Sequence, residues 1–134
     1  MTVGETQLSK LLQGMQPVLQ PDVYVFCCVP ADAVPLGLTP VGQFYEAEGL
    51  TLIVPQAQAE QLGLGYAYPA RMITLMVQSS LAAVGFLAAI TAALATQEIS
   101  VNPVSAYYHD HLFVPVADAE RAMVHLRALA AQAD

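Results

Sequence analysis

Residues 52–60 read Leu-Ile-Val-Pro-Gln-Ala-Gln-Ala-Glu, and residues 112–120 read Leu-Phe-Val-Pro-Val-Ala-Asp-Ala-Glu. Six of the nine positions are identical, and a seventh exchanges Ile for Phe. Each copy is a short apolar strand, a proline that stops it and the start of an alanine-containing helix. Self-similarity at a fixed period constrains a fold more than any local signal, because it implies equivalent structural units. The pattern predicts two small α+β modules in tandem, with the seam between them as the natural place for a ligand.

At 134 residues the chain is one domain or two very small ones, long enough to bury a core without disulfides or metal. The hydrophobic fraction is 56% and the charged fraction only 11%, so part of the surface is expected to be covered by a partner. The net charge is −7, and the basic residues are Lys10, Arg71, Arg121 and Arg127. Nucleic-acid binding needs a clustered basic footprint, which is lacking, and anionic membrane surfaces are disfavoured for the same reason. Cys27 and Cys28 are adjacent; in a strand they point to opposite faces, so no bridge between them is expected. Without a spaced cysteine framework or a signal-peptide pattern at the N-terminus, a reducing, cytoplasmic location is expected. Residues 72–97 carry no charge, but Gln78-Ser79-Ser80 divides this run into a β-branched strand and an alanine-rich helix, which argues against a membrane span.

Along the chain, Leu8, Leu11, Leu12 and Met15 give the stripe of a short helix over 6–14. Residues 24–29 form a continuous apolar run, the pattern of an interior strand. Pro30, Pro35 and Pro40 exclude a long helix from 30–40. Residues 41–46 and 50–54 read as a hairpin turning at Ala47-Glu48-Gly49, followed by a helix over 56–62. After a linker at 63–70 comes a strand over 72–77 and a helix over 81–97, with Ser79 or Ser80 as N-cap. Val84, Phe86, Leu87, Ile90 and Leu94 place apolar residues around most of that helix, which therefore needs cover on more than one side. A second hairpin, 101–108 and 112–116, turns at His109-Asp110-His111, and Asp118 caps the last helix. Ala119, Ala122, Met123, Leu126, Leu129 and Ala130 draw the apolar stripe of that helix. The boundary predicted from this order is 1–65, an N-terminal unit with a helical extension, against 66–134. Pro103 suits an edge strand, and an edge strand of few charges is a site for pairing with another subunit.

Ser79-Ser80-Leu81-Ala82-Ala83-Val84-Gly85-Phe86-Leu87-Ala88, then Leu94-Ala95, then Ile99-Ser100-Val101-Asn102, resemble the ACT-domain superfamily pattern. That pattern is a strand, a turn, a Val-Gly opening a helix and an Ile–small–any–Asn start to the next strand. Ala106-Tyr107-Tyr108-His109-Asp110-His111-Leu112-Phe113-Val114 is similar to a bacterial subgroup of stand-alone tandem ACT proteins. The likeness is strong in 71–131 and weaker in 1–60, where a proline-rich loop replaces the first crossover helix. The resemblance implies an α+β fold of two ferredoxin-like β-α-β-β-α-β modules, with antiparallel sheet packed against helices. It also implies that amino acids bind at the turn before the helix, facing an edge strand of a neighbouring module.

The candidate ligand-binding residues are therefore Ser79, Ser80, Val84, Gly85, Asn102 and Asp32. A helix N-terminus offers free N–H groups and a positive dipole end to a carboxylate, and Gly85 permits close approach. Asn102 opens the edge strand and can hydrogen-bond a polar end, and Asp32 can receive an ammonium group. Each also has a local explanation: serine as an ordinary cap, glycine for packing, Asn102 for local backbone bonding and Asp32 as a solvated loop residue. His109 and His111 suggest two zinc ligands, but a third is missing nearby, so a polar turn centred on Asp110 is the expectation and no metal or cofactor is assigned. Tyr107 and Tyr108 are expected to divide between core and interface. No catalytic residue is assigned, since there is no nucleophile elbow, no phosphate-cradling loop, and no basic neighbour to activate Cys27 or Cys28.

These residues predict a non-enzymatic regulatory module that binds a small molecule, an amino acid in particular, and forms a homodimer. Its output would pass through a separate protein. The alternative is a protein-interaction or dimerisation module with no small-molecule ligand. A third possibility, an enzyme working through His109, Asp110 or His111, predicts a cleft at that turn and a perturbed histidine.

Overall fold

The computed structural model describes residues 4–133. The elements are α1 (Leu8–Gly14), β1 (Pro17–Val29), β2 (Gly42–Glu46), β3 (Gly49–Pro55), α2 (Gln56–Gln61), β4 (Ala67–Leu75), α3 (Phe86–Thr96), β5 (Asn102–Ser105), β6 (Asp110–Pro115) and α4 (Ala119–Gln132). A single 3₁₀ turn, Val116–Asp118, leads into α4. Both copies of the repeat fall where their sequence places them, as the end of β3 running into α2 and the end of β6 running into α4. Among the described residues no helix is long and apolar enough to cross a membrane.

The compact units of the structure are discontinuous in the chain. The first unit is Met1–Pro21 with Arg71–Asp134, and the second is Asp22–Ala70. The helical extension thus belongs with the C-terminal residues. Strands β1 and β4 each begin in one unit and end in the other.

In the second unit the strand order is β2-β3-β1, all antiparallel, with Phe26 opposite Ile53 and Tyr45 opposite Leu50. Val25, Cys27 and Val29 face a core with Leu50, Leu52, Val54 and Ala59. The apolar run of β1 suggested burial on both faces, but Cys28 is exposed and Phe26 only half-buried, stacked edge-on against Tyr68. Period-two alternation sends Cys27 inward and Cys28 outward, as expected of adjacent strand residues. The crossover between β1 and β2 is the expected proline-rich loop.

In the first unit β4, β6 and β5 lie side by side, and β5 is the edge. Asn102 pairs with Phe113 and Ser105 with Asp110 across the antiparallel β5–β6 hairpin. Three helices cover this sheet, with α3 in contact with both α1 and α4. Phe86, Ile90 and Leu94 of α3 are buried with Leu11 and Met15 of the N-terminal segment and with Ala122, Met123 and Leu126 of α4. The all-round apolar α3 therefore finds its cover inside the unit, from helices on two sides. Asp118 precedes α4 but makes no side-chain cap bond; its carboxylate pairs with Arg121 at 3.1 Å.

Leu11 is fully buried in this core. Leu11→Ala should lower unfolding free energy by about 2–5 kcal/mol. Urea denaturation monitored by circular dichroism checks this; a loss of a few tenths would mean that α1 is a dispensable extension.

Candidate ligand-binding site

The segment after β4 leaves the sheet as a bridged turn. Met76 N–H donates to Gln16 O at 2.9 Å. Glu5 then forms an isolated parallel bridge with Ser79: Glu5 N–H donates to Gln78 O at 2.7 Å and Ser80 N–H to Glu5 O at 2.9 Å. Gly4 makes this approach possible. Its φ is +91°, and a Cβ there would lie 2.6 Å from Gln78 O.

Ser80 was expected to cap a helix starting at residue 81. Instead its Oγ accepts from Ala82 N–H at 3.0 Å and its carbonyl from Ala83 N–H at 3.0 Å, closing a turn. A serine hydroxyl that bonds its backbone two residues on competes with helix formation. The helix begins only at Phe86, behind Gly85 at φ +92°. The first ladder bond of this helix is Ala89 N–H to Gly85 O, so the amides of Phe86, Leu87 and Ala88 precede the ladder.

Ser79 is buried and does not cap either. Its hydroxyl donates to Asp110 Oδ2 at 2.9 Å, while Ser105 Oγ donates to Asp110 Oδ1 at 2.6 Å. Asp110 is 5% exposed. It therefore does not sit at the centre of a solvated turn. It opens β6, two residues before the expected strand start at 112, and the hairpin closes earlier, with Ala106 N–H donating to His109 O. Ser79, Ser80, Leu81, Ala83, Phe86, Leu87, Ser105 and Asp110 together line a cleft of about 160 Å³, all within the first unit.

Of the expected site residues, only Ser79 and Ser80 line this cleft. Val84 is 84% exposed and precedes the helix. Gly85 caps α3 and does not line the cleft; a Cβ there would meet only Leu8 Cδ2, at an ordinary 3.7 Å. Asn102 is exposed at the start of β5, and Asp32 is exposed in the proline-rich loop of the other unit. Asp110, Ser105, Leu81 and Leu87 were not singled out as ligand-binding residues. The available signal was the hairpin register: closing the turn at 106–109 pairs Ser105 with Asp110 and turns a loop aspartate into a strand residue beside a serine.

His111 follows on β6. Its Nδ1 lies 3.0 Å from Thr74 Oγ1, which in turn accepts from Gln20 Nε2 at 3.1 Å. The single hydroxyl proton of Thr74 is thus available to Nδ1, which favours a neutral ring protonated on Nε2. Burial lowers the pKa of His111 from its usual value, His109 adds to that and Asp110 opposes it. Among the described residues no three of His, Cys, Asp or Glu converge as metal ligands. Tyr107 and Tyr108 enter no core: both are exposed and stack edge-to-face on each other at 4.8 Å.

Two family models of the ACT domain match the sequence, one over residues 3–71 and one over 68–128. The chain belongs to the ACT-domain family. Among solved structures, a Vibrio cholerae protein of unknown function, described as a possible transport protein, is 41% identical to this ACT protein. The match covers 92% of this chain and 95% of that one, with a TM-score of 0.82. An Agrobacterium tumefaciens protein is 20% identical over 87% of this chain and 89% of its own, with a TM-score of 0.69. The ligand-free regulatory subunit of aspartate kinase from Thermus thermophilus shares the fold at 10% identity, covering 84% of this chain and 95% of that one with a TM-score of 0.62. No protein of curated function matches the sequence. ACT domains are typically regulatory binders of small molecules such as amino acids, not catalytic domains.

His111 makes the stability of this ACT protein pH-dependent. The unfolded state binds its proton more readily than the native state, so the stabilisation is present above pH 6.5 and is lost as pH falls through the lowered folded value. Melting curves should show a larger drop between pH 7 and pH 5 for the wild type than for His111→Gln. Equal drops would contradict a neutral native ring. Separately, Gly4→Ala should release the Glu5–Ser79 bridge, since a φ above zero costs a non-glycine residue about 1–2 kcal/mol even without the clash. The Ser80 amide should then exchange faster with deuterium, and unchanged protection would show the bridge intact.

Proposed function

We propose that the protein is a non-enzymatic regulatory module that binds an amino acid in the cleft of its first unit. The observation that carries this reading is the composition of the cleft walls. The lining combines hydroxyls and a buried carboxylate with the apolar side chains of Leu81, Ala83, Phe86 and Leu87, the last two belonging to the N-terminus of α3. Partner-free amides and the positive end of a helix dipole suit a carboxylate. The volume, about 160 Å³, is below the roughly 300–1,000 Å³ of drug-sized pockets and suits a ligand of a few heavy atoms. Family membership supports the same reading, as ACT domains typically bind small regulatory ligands.

Regulation would work by linkage. A ligand that bridges the 79–83 turn, α3 and the β5–β6 hairpin stabilises the arrangement in which those elements converge. It shifts the equilibrium only by its difference in affinity between arrangements. A separate protein, or the self-association of this one, then reads the shift.

A second reading, an assembly module without a small ligand, is favoured by one observation. Every residue of the edge strand β5 is exposed, as are Tyr107 at 60% and Tyr108 at 51%. An open edge with adjoining aromatic surface is a template for strand pairing. On either reading the expected state is a homodimer, measurable by sedimentation.

A thermal-shift screen against the twenty amino acids separates the two readings. At about 100 times the dissociation constant, a specific ligand adds about 2.7 kcal/mol and raises Tm by several degrees. A shift confined to one or a few related amino acids is expected. A flat response across all twenty would discard the amino-acid reading and favour assembly.

A further inference from the structure

Asp110 is a carboxylate at 5% exposure, and among the described residues no cation is paired with it. The one ion pair there is Arg121 with Asp118, and Arg71 is spent on the carbonyl of Gln20 at 2.7 Å. The adjacent His111 does not neutralise it either, because the ring sits against Thr74 and burial disfavours its charged form. Both carboxylate oxygens accept from hydroxyls, and among the described residues no second donor reaches either oxygen, although each can accept another hydrogen bond. An aspartate this deeply buried is rarely left without a countercharge, since desolvation of a lone charge is costly. The same carboxylate lines the cleft, and among the described residues no basic side chain does.

From this missing countercharge we infer that Asp110 receives the ammonium group of the ligand, and that the ligand class is small aliphatic primary amines, aliphatic α-amino acids among them. The inference rests on the cleft being a binding site, and it adds the sign of the anchoring charge and the nature of the ligand body. The ammonium donates into the free acceptor sites of Asp110 while Ser79 and Ser105 hold the carboxylate in place. Apart from Ser80, whose Oγ accepts from Ala82 N–H, the remaining walls at Leu81, Ala83, Phe86 and Leu87 offer no hydrogen-bonding side chain, so a charged ligand tail would be desolvated there without compensation. An acidic side chain would also face Asp110, which excludes Asp and Glu as ligands by like-charge repulsion.

Three probes that share one branched body test this: valine, isobutylamine, which lacks the carboxylate, and isovalerate, which lacks the ammonium. Calorimetric titration of the intact protein should show binding of valine and isobutylamine, and at least tenfold weaker binding of isovalerate. Asp110→Asn should weaken valine and isobutylamine at least tenfold and leave isovalerate unchanged or improved, a charge-assisted hydrogen bond being worth roughly that factor. The comparison of probes on the unaltered protein needs no variant, so it stands even where Asp110→Asn fails to fold. Isovalerate binding as tightly as valine, or Asp110→Asn binding both amines undiminished, would overturn the inference while leaving the cleft a ligand site. Binding of polar amino acids in the twenty-member screen, with none of the three probes bound, would overturn it and spare the amino-acid reading. Silence in both experiments would overturn both.

Discussion

The bond from Ser79 to Asp110, with its partner from Ser105, is what holds the site in one piece. The segment 76–85 has no regular ladder of its own: it contains neither helix nor sheet beyond one bridge. Its place is set by three outside attachments: Gln16 O, which accepts from Met76 N–H, the Glu5 backbone and the buried Asp110 carboxylate. Because Asp110 opens β6 and faces Ser105 across the hairpin register, the same carboxylate ties the turn to two strands. Charged hydrogen bonds inside a protein are stronger than those in water, and an unpaired one is correspondingly costly. The arrangement is thus both a wall of the cleft and the place where, among the described residues, a buried carboxylate has no paired cation.

Long-range packing also decides what the N-terminal segment does. Leu11 and Met15 join the core of α3, α4 and the β4–β6 strands, although more than fifty residues separate them from any of these elements in the chain. A short amphipathic helix such as α1 is marginal alone and takes its stability from the surface it covers. Its nearest sequence neighbours, residues 22–70, form a separate core of their own around Val25, Cys27, Leu52 and Val54. The two cores are alike in being one sheet face closed by apolar residues. They differ in that the first has three helices and the second one short helix and a proline-rich loop, which Pro30, Pro35 and Pro40 impose.

Much of this architecture was legible in the chain. The repeat at 52–60 and 112–120 announced two equivalent strand-to-helix steps, and both occur. The hairpin at Ala47-Glu48-Gly49 and the stripe of α4 follow from turn chemistry and helical period. The start of α3 was not legible. Leu81, Ala82 and Ala83 are helix formers by propensity, but Ser80 closes a turn over them and Gly85 takes a left-handed φ, so the helix starts five residues late. That shift strands Val84 in solvent and withdraws Gly85 from the cleft. The earlier closure of the hairpin likewise hid Asp110, because a second strand that starts two residues sooner turns an expected turn aspartate into a buried strand aspartate.

The sequence by itself determined the fold family, the tandem repeat, the order of elements and the acidic, low-charge surface. These are properties of local period, punctuation and composition, which each short window of chain carries independently. Only the tertiary structure decided which unit owns the N-terminal helix, that Ser79 and Ser105 converge on Asp110, and that Asn102 and Asp32 stand apart from the cleft. Apart from the hairpin neighbours Ser105 and Asp110, those contacts join residues 31 or more positions apart, selected by which surfaces are buried together; no local propensity encodes them.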